Sequence, residues 1–194
     1  MGYKAILSGV AIALTLLAFY PYLRDILKGV VKPHVFSWII WASTTLIVFF
    51  AQLQDGGGAG AWAIGVSGCI TLVIAFLAYI QRADVAITLV DQIVFAAAMS
   101  SLPLWYLTSD PMWAVVLLTV IDVLGFGPTL RKAYACPYSE SMTFFALFLA
   151  RNLIVILALE HYSVTTVMFP ALVAMACGSV VLVIALRRKN WGPV

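Results

Sequence analysis

Apolar residues fill this chain in seven long runs separated by short polar breaks. The runs cover about 4–23, 34–54, 60–80, 84–108, 111–130, 140–160 and 163–186. They are long and continuous rather than alternating, and each approaches the roughly 20 residues that a helix needs to cross the apolar core of a bilayer. The breaks fall at 28–33, 54–58, 81–83, 109–110, 132–139 and 161–162. Two of them carry strong helix breakers, Gly56-Gly57-Gly58 and Asp110-Pro111, where the chain must turn back. The pattern predicts an all-α integral membrane protein with seven transmembrane helices. No connection is long enough for a soluble domain or a lid.

Composition sharpens this picture. Of 194 residues, 64% are hydrophobic and 10% charged, and the mean hydropathy is +1.07. A soluble enzyme of this size needs more polar surface than that. An outer-membrane barrel would show alternation instead of continuous runs. The first run, from Ala5 to Tyr22, has no small-residue cleavage site before Arg24. It is expected to be a spanning helix and not a leader. Charge then gives orientation. Arg24, Lys28, Lys32, Arg82, Arg131, Lys132, Arg187, Arg188 and Lys189 fall on one side, and only Lys4 on the other, beside Asp55, Asp110 and Glu160. The positive-inside rule predicts an outside N-terminus and a cytoplasmic C-terminus in a cell (inner or plasma) membrane. The three cysteines, Cys69, Cys136 and Cys177, have no paired spacing and suggest neither disulfides nor a zinc site.

The chain also repeats itself. At an offset of 107 residues, Pro21 matches Pro128, Leu23 matches Leu130 and Arg24 matches Arg131. The same offset pairs Trp38 with Phe145 and Trp41 with Phe148. A stretch from Gly68 to Ala75 resembles one from Gly178 to Ala185 at an offset of 110. Three helices, one linker helix and three helices make two triplets that run the same way, a 3+1+3 parallel repeat. The expected divisions are 1–82 for the first repeat, 83–109 for the linker helix, 110–189 for the second repeat and 190–194 for a cytoplasmic tail.

With its matched prolines, basic connections and triplets, the pattern resembles the SWEET and PQ-loop (MtN3-like) transporter superfamily. The resemblance covers nearly the whole chain, on degenerate motifs. Tyr22 and Thr129 follow the two prolines where the PQ-loop group has glutamine. Ser67-Gly68 and Gly178-Ser179 stand where sugar-type members carry asparagine. The resemblance implies the fold, seven spans with an outside N-terminus, and alternating-access transport of a small solute. It also allows proton coupling through membrane aspartates.

Several residues stand out against the apolar background. Pro21 and Pro128 each free the carbonyl one turn back, at Leu17 and Leu124, and either hinge an inner gate or end a helix. Asp91, Asp122 and Arg151 are charges inside the runs, each costing on the order of 3 kcal/mol at the bilayer centre. Asp122 lies eleven residues from Pro111 and Arg151 eleven from Glu140, about 16 Å in each case, near the midplane. Asp91 lies nearer the cytoplasmic side. An Asp122–Arg151 ion pair within one triplet is expected. It could be a substrate site, with Asp122 (and Asp91) titrating a coupled proton, or a permanent structural pair. The first-repeat counterparts of Asp122 and Arg151 are Thr15 and Thr44, and Asn152 aligns with Thr45. Asn152 fits either a site ligand or interhelical glue, and Gln92 fits glue. Trp38, Trp41, Phe145 and Phe148 fit an interfacial belt or an inner gate and stacking platform. His34 and His161 sit near interfaces without metal-ligand spacing.

The expected site thus comprises Asp122, Arg151, Asn152, Thr15, Thr45 and Trp41, with Pro21, Pro128, Trp38 and Phe145 at the gate. No phosphate loop, dinucleotide fingerprint, zinc-protease motif or nucleophile elbow occurs, so neither enzyme activity nor a cofactor is expected. The expected partners are a small-molecule substrate, with the charges favouring a zwitterion or anion, and the lipid bilayer. A second copy or membrane-complex partners also fit, and nucleic acid does not. A non-transporting membrane subunit or scaffold is the other function this sequence fits.

Overall fold

A computed structural model describes residues 2–29, 35–81, 89–135, 137–138 and 140–190. Lys32, Pro33, His34, Arg82, Cys136 and the start of the linker helix lie outside them, as do the side chains of Asp91, Pro128 and Lys132. The described residues form α1 (Tyr3–Leu27), α2 (Val35–Gln54), a 3₁₀ turn (Gly58–Ala61) and α3 (Trp62–Ile80). Then follow α4 (Leu89–Met99), α5 (Ser101–Thr108), α6 (Pro111–Ala135), α7 (Met142–Ala158) and α8 (Val164–Asn190). The protein is all-helical over these residues. Five helical segments are long and apolar enough to cross a membrane: α1, α2, the 3₁₀ turn with α3, α6 and α8. The shorter helix α7 and the α4–α5 segment are apolar as well.

Local chemistry explains where helices start and stop. Ser141 caps α7 by accepting from the Phe144 N–H at 3.2 Å. Ser163 and Thr166 open α8 with a reciprocal box: Ser163 N–H donates to Thr166 Oγ1 (3.0 Å) and Thr166 N–H to Ser163 Oγ (3.2 Å). Asp110 Oδ1 accepts from Met112 N–H at 2.9 Å and starts α6 beside Pro111.

Three boundaries differ from the sequence reading. The fourth run is broken at Ser100 into α4 and α5. Pro103 has no N–H for the Met99 carbonyl, and at the break the Ser100 hydroxyl donates to the Ala97 carbonyl at 2.7 Å. Helices α1 and α6 run on to Leu27 and Ala135, so the proline positions 21 and 128 lie within helices and do not end them. Helix α8 continues to Asn190 because its arginines are held. Arg187 Nε donates to the Tyr134 carbonyl (2.9 Å), and Arg188 donates to those of Pro137 and Glu140 (3.0 Å each).

The packing order is not the chain order. Helix α3 lies between α1 and α2, and α8 lies between α6 and α7. The two triplets then meet along two seams, α1 with α7 and α2 with α6. Helix α5 packs on α6, and α4 touches α2. Close approach of α2 and α3 rests on small residues. A Cβ at Gly65 would lie 2.8 Å from the Phe49 ring, and one at Gly68 would lie 2.7 Å from Leu46. One end of the molecule gathers the glycine-rich turn after α2 and the turn between α7 and α8. The other carries Arg24, Lys28, Arg131, Arg187 and Arg188.

Candidate functional site

Among the described residues Arg151 is the largest fully buried side chain, only 1% exposed. It projects from the middle of α7, and its guanidinium joins three helices. Nε donates to Thr15 Oγ1 on α1 (3.1 Å), Nη2 to the Ala63 carbonyl on α3 (2.8 Å) and Nη1 to its neighbour Asn152 Oδ1 (3.0 Å). Asn152 in turn donates to the Phe148 carbonyl (2.8 Å), and Thr15 to that of Ala11 (2.8 Å). The Phe148 ring lies 5.4 Å from the guanidinium carbon, a cation–π distance. Every acceptor in this clamp is neutral. Among the described residues this buried cation has no counter-ion, and it persists because its donors are met.

The expected ion pair is absent. Asp122 is half-buried on α6, and among the described residues no hydrogen bond or ion pair reaches its carboxylate. The reason is topological: α8 lies between α6 and α7, so consecutive helices of a triplet are not neighbours along their length. The site residue that Arg151 does meet is Thr15, which lies 107 residues before Asp122.

The remaining residues divide. Asn152 and Thr15 join Arg151. Thr44 and Thr45 are buried on α2, and the Thr44 hydroxyl turns back to the Trp41 carbonyl at 3.1 Å. Trp41 is 40% exposed and sits edge-on to Trp38 (5.2 Å), which tilts onto Tyr22 (5.2 Å). This aromatic cluster belongs to the first triplet, and Tyr22 and Trp38 pack on the same core around Phe19 as Phe148 of the clamp. Phe145 lies against Phe126 at 6.5 Å and edge-on to Phe144 at 5.4 Å. Two clefts, of about 520 and 370 Å³, open on the α1–α3 side around Trp62, and their walls include neither Asp122 nor Arg151.

A second polar group was not singled out from sequence, and it closes the glycine-loop end. Ser163 Oγ donates to Asp55 Oδ2, and His161 Nδ1 bonds the Asp55 carbonyl at 2.9 Å. Glu160 N–H donates to the Gly57 carbonyl (3.2 Å) and Lys4 Nζ to that of Leu159 (2.6 Å). Gln52, fully buried on α2, donates through Nε2 to the Thr166 carbonyl on α8 at 2.9 Å. That carbonyl needs an outside donor because Pro170, four residues on, offers none. A proline four residues after Thr166 was the legible sign of it. Gln52→Leu should destabilise the protein by about 1 kcal/mol, the usual net worth of such a bond. Adding Pro170→Ala should recover that loss by restoring the helical donor. Thermal melts of both variants in detergent check this.

Comparisons with protein-family models, curated proteins and solved structures find no match for this chain.

Proposed function

We propose that this chain is a small-solute transporter of the SWEET or PQ-loop type, working by alternating access between two parallel three-helix repeats. One observation carries the reading. Exchanging α1, α2 and α3 for α6, α7 and α8 turns each major packing pair among these six helices into another that is present: α1–α3 into α6–α8, α2–α3 into α7–α8, and α1–α7 into α6–α2. In this reading α4 and α5 together are the linker crossing, which with α7 makes seven spans. The basic end faces the cytoplasm, and the latched glycine-loop end faces out.

Asp122 is the residue set to meet a polar solute, being half-buried and free of hydrogen bonds and ion pairs among the described residues. Arg151 serves as the fixed positive charge behind it. Ligand-dependent stabilisation tests the reading: a solute that raises the melting temperature of wild type and not of Asp122→Asn places its site here. The sealed state of Arg151 favours a second reading, a non-transporting membrane subunit in which the clamp is purely structural.

A further inference from the structure

The 107-residue offset relates single contacts as well as helices. Exchanging the triplets turns the α1–α7 seam into the α6–α2 seam, so each rung across one has a counterpart across the other. Across α1–α7, Arg151 meets Thr15 at 3.1 Å, and the Phe148 ring meets Phe19 edge-on at 5.3 Å. Adding or subtracting 107 converts these rungs into Thr44 with Asp122 and Trp41 with Phe126. Neither counterpart is formed. The Thr44 hydroxyl is spent on its own helix, at the Trp41 carbonyl. Phe126 faces Phe145 of its own triplet at 6.5 Å, and Trp41 faces Trp38.

We propose that the α2–α6 seam is the moving gate of this protein and the α1–α7 seam its fixed hinge. Closing the gate brings the Thr44 hydroxyl to Asp122 and the Trp41 ring to Phe126. The asymmetry has a physical cause. Opening α1–α7 at mid-depth would strip the Arg151 guanidinium of its Thr15 and Ala63 acceptors and leave a bare buried cation. Opening α2–α6 breaks no such bond among the described residues. Gln52 ties the glycine-loop end of α2 to α8, so the freedom of α2 lies at the basic end. This assignment rests on the transporter reading and goes beyond it, because symmetric rocking would move both seams alike.

Double electron–electron resonance on the full chain in lipid nanodiscs tests it, with Cys69, Cys136 and Cys177 replaced by serine. Spin labels at Arg24→Cys and Thr143→Cys report on the basic end of α1–α7. Labels at Arg131→Cys and Ser37→Cys report on α2–α6. The expected result is one narrow distance for the first pair and two populations for the second. Phe126→Leu, or independently Trp41→Leu, should abolish the shorter of those two. Equal breadth at both seams, or the greater breadth at α1–α7, overturns the assignment while leaving a moving transporter. A single narrow distance at both seams, unchanged in Phe126→Leu, overturns it together with the motion that transport requires.

Discussion

Arg151→Ala should destabilise the folded protein by about 2–5 kcal/mol, the range for truncating a large buried side chain. The substitution leaves a cavity where α1, α3 and α7 meet and orphans the Asn152 amide oxygen. Thr15 and Ala63 are less affected, since both lie on helices that supply other partners. One term opposes the loss. The guanidinium is a buried charge with no counter-ion among the described residues, and removing it recovers part of its desolvation cost. Arg151→Met separates the two effects, because it keeps most of the volume without the charge. It should cost clearly less than Arg151→Ala. Arg151→Lys should cost more than Arg151→Met, because an ammonium cannot span Thr15, Ala63 and Asn152 as the fork does. Unfolding titrations of the three variants in mixed micelles measure the order. An Arg151→Ala protein as stable as wild type would show that the clamp holds nothing together.

Gly60→Ala should cost about 1–3 kcal/mol, as overpacking of a tight interface does. A Cβ there would lie 2.7 Å from the backbone nitrogen of Leu159 and 2.9 Å from its Cα. A flexible side chain could swing away, but a backbone at the end of α7 cannot. The strain falls on the contact that joins the two triplets at the glycine-loop end, beside the Glu160–Gly57 bond. Gly9→Ala is the matched control, because a Cβ on Gly9 meets nothing within 4 Å. Thermal melts should lower the transition for Gly60→Ala and leave that of Gly9→Ala unchanged or raised, since alanine is the better helix former inside α1. Equal melting temperatures for both variants would mean that the seam yields freely at this point.

The helices were legible in the hydrophobic pattern because nearly all the chain is apolar and the breakers are strong. Their order in space was not. Nothing in the runs said that the third helix of each triplet sits between the other two, and this is why Asp122 and Arg151, adjacent by helix number, do not pair. The repeat offset held more than its proline matches show. It had already set Thr15 beside Asp122 as counterparts, and the contact Arg151 makes is with Thr15 across the seam. The Ser100 break depended on Pro103, whose effect a periodicity reading overlooks inside a long apolar run. The closure of the glycine-loop end was hidden for a different reason. Gln52, Asp55, Ser163 and Thr166 are ordinary cap and loop residues in sequence, and only folding brings positions more than 100 apart into hydrogen-bond range.

The most direct test of transport is a ligand screen by thermal stability, on wild type and Asp122→Asn side by side in detergent. Amino acids, sugars, organic acids and vitamins would each be run at two pH values. Binding to the folded state alone raises the melting temperature by mass action, by an amount set by ligand concentration over Kd. Alternating access with Asp122 in the site predicts a hit, in a charged or zwitterionic class, that the mutant loses or that loses its pH dependence there. No hit from any class, with Asp122→Asn merely less stable, would contradict transport and leave the membrane-subunit reading.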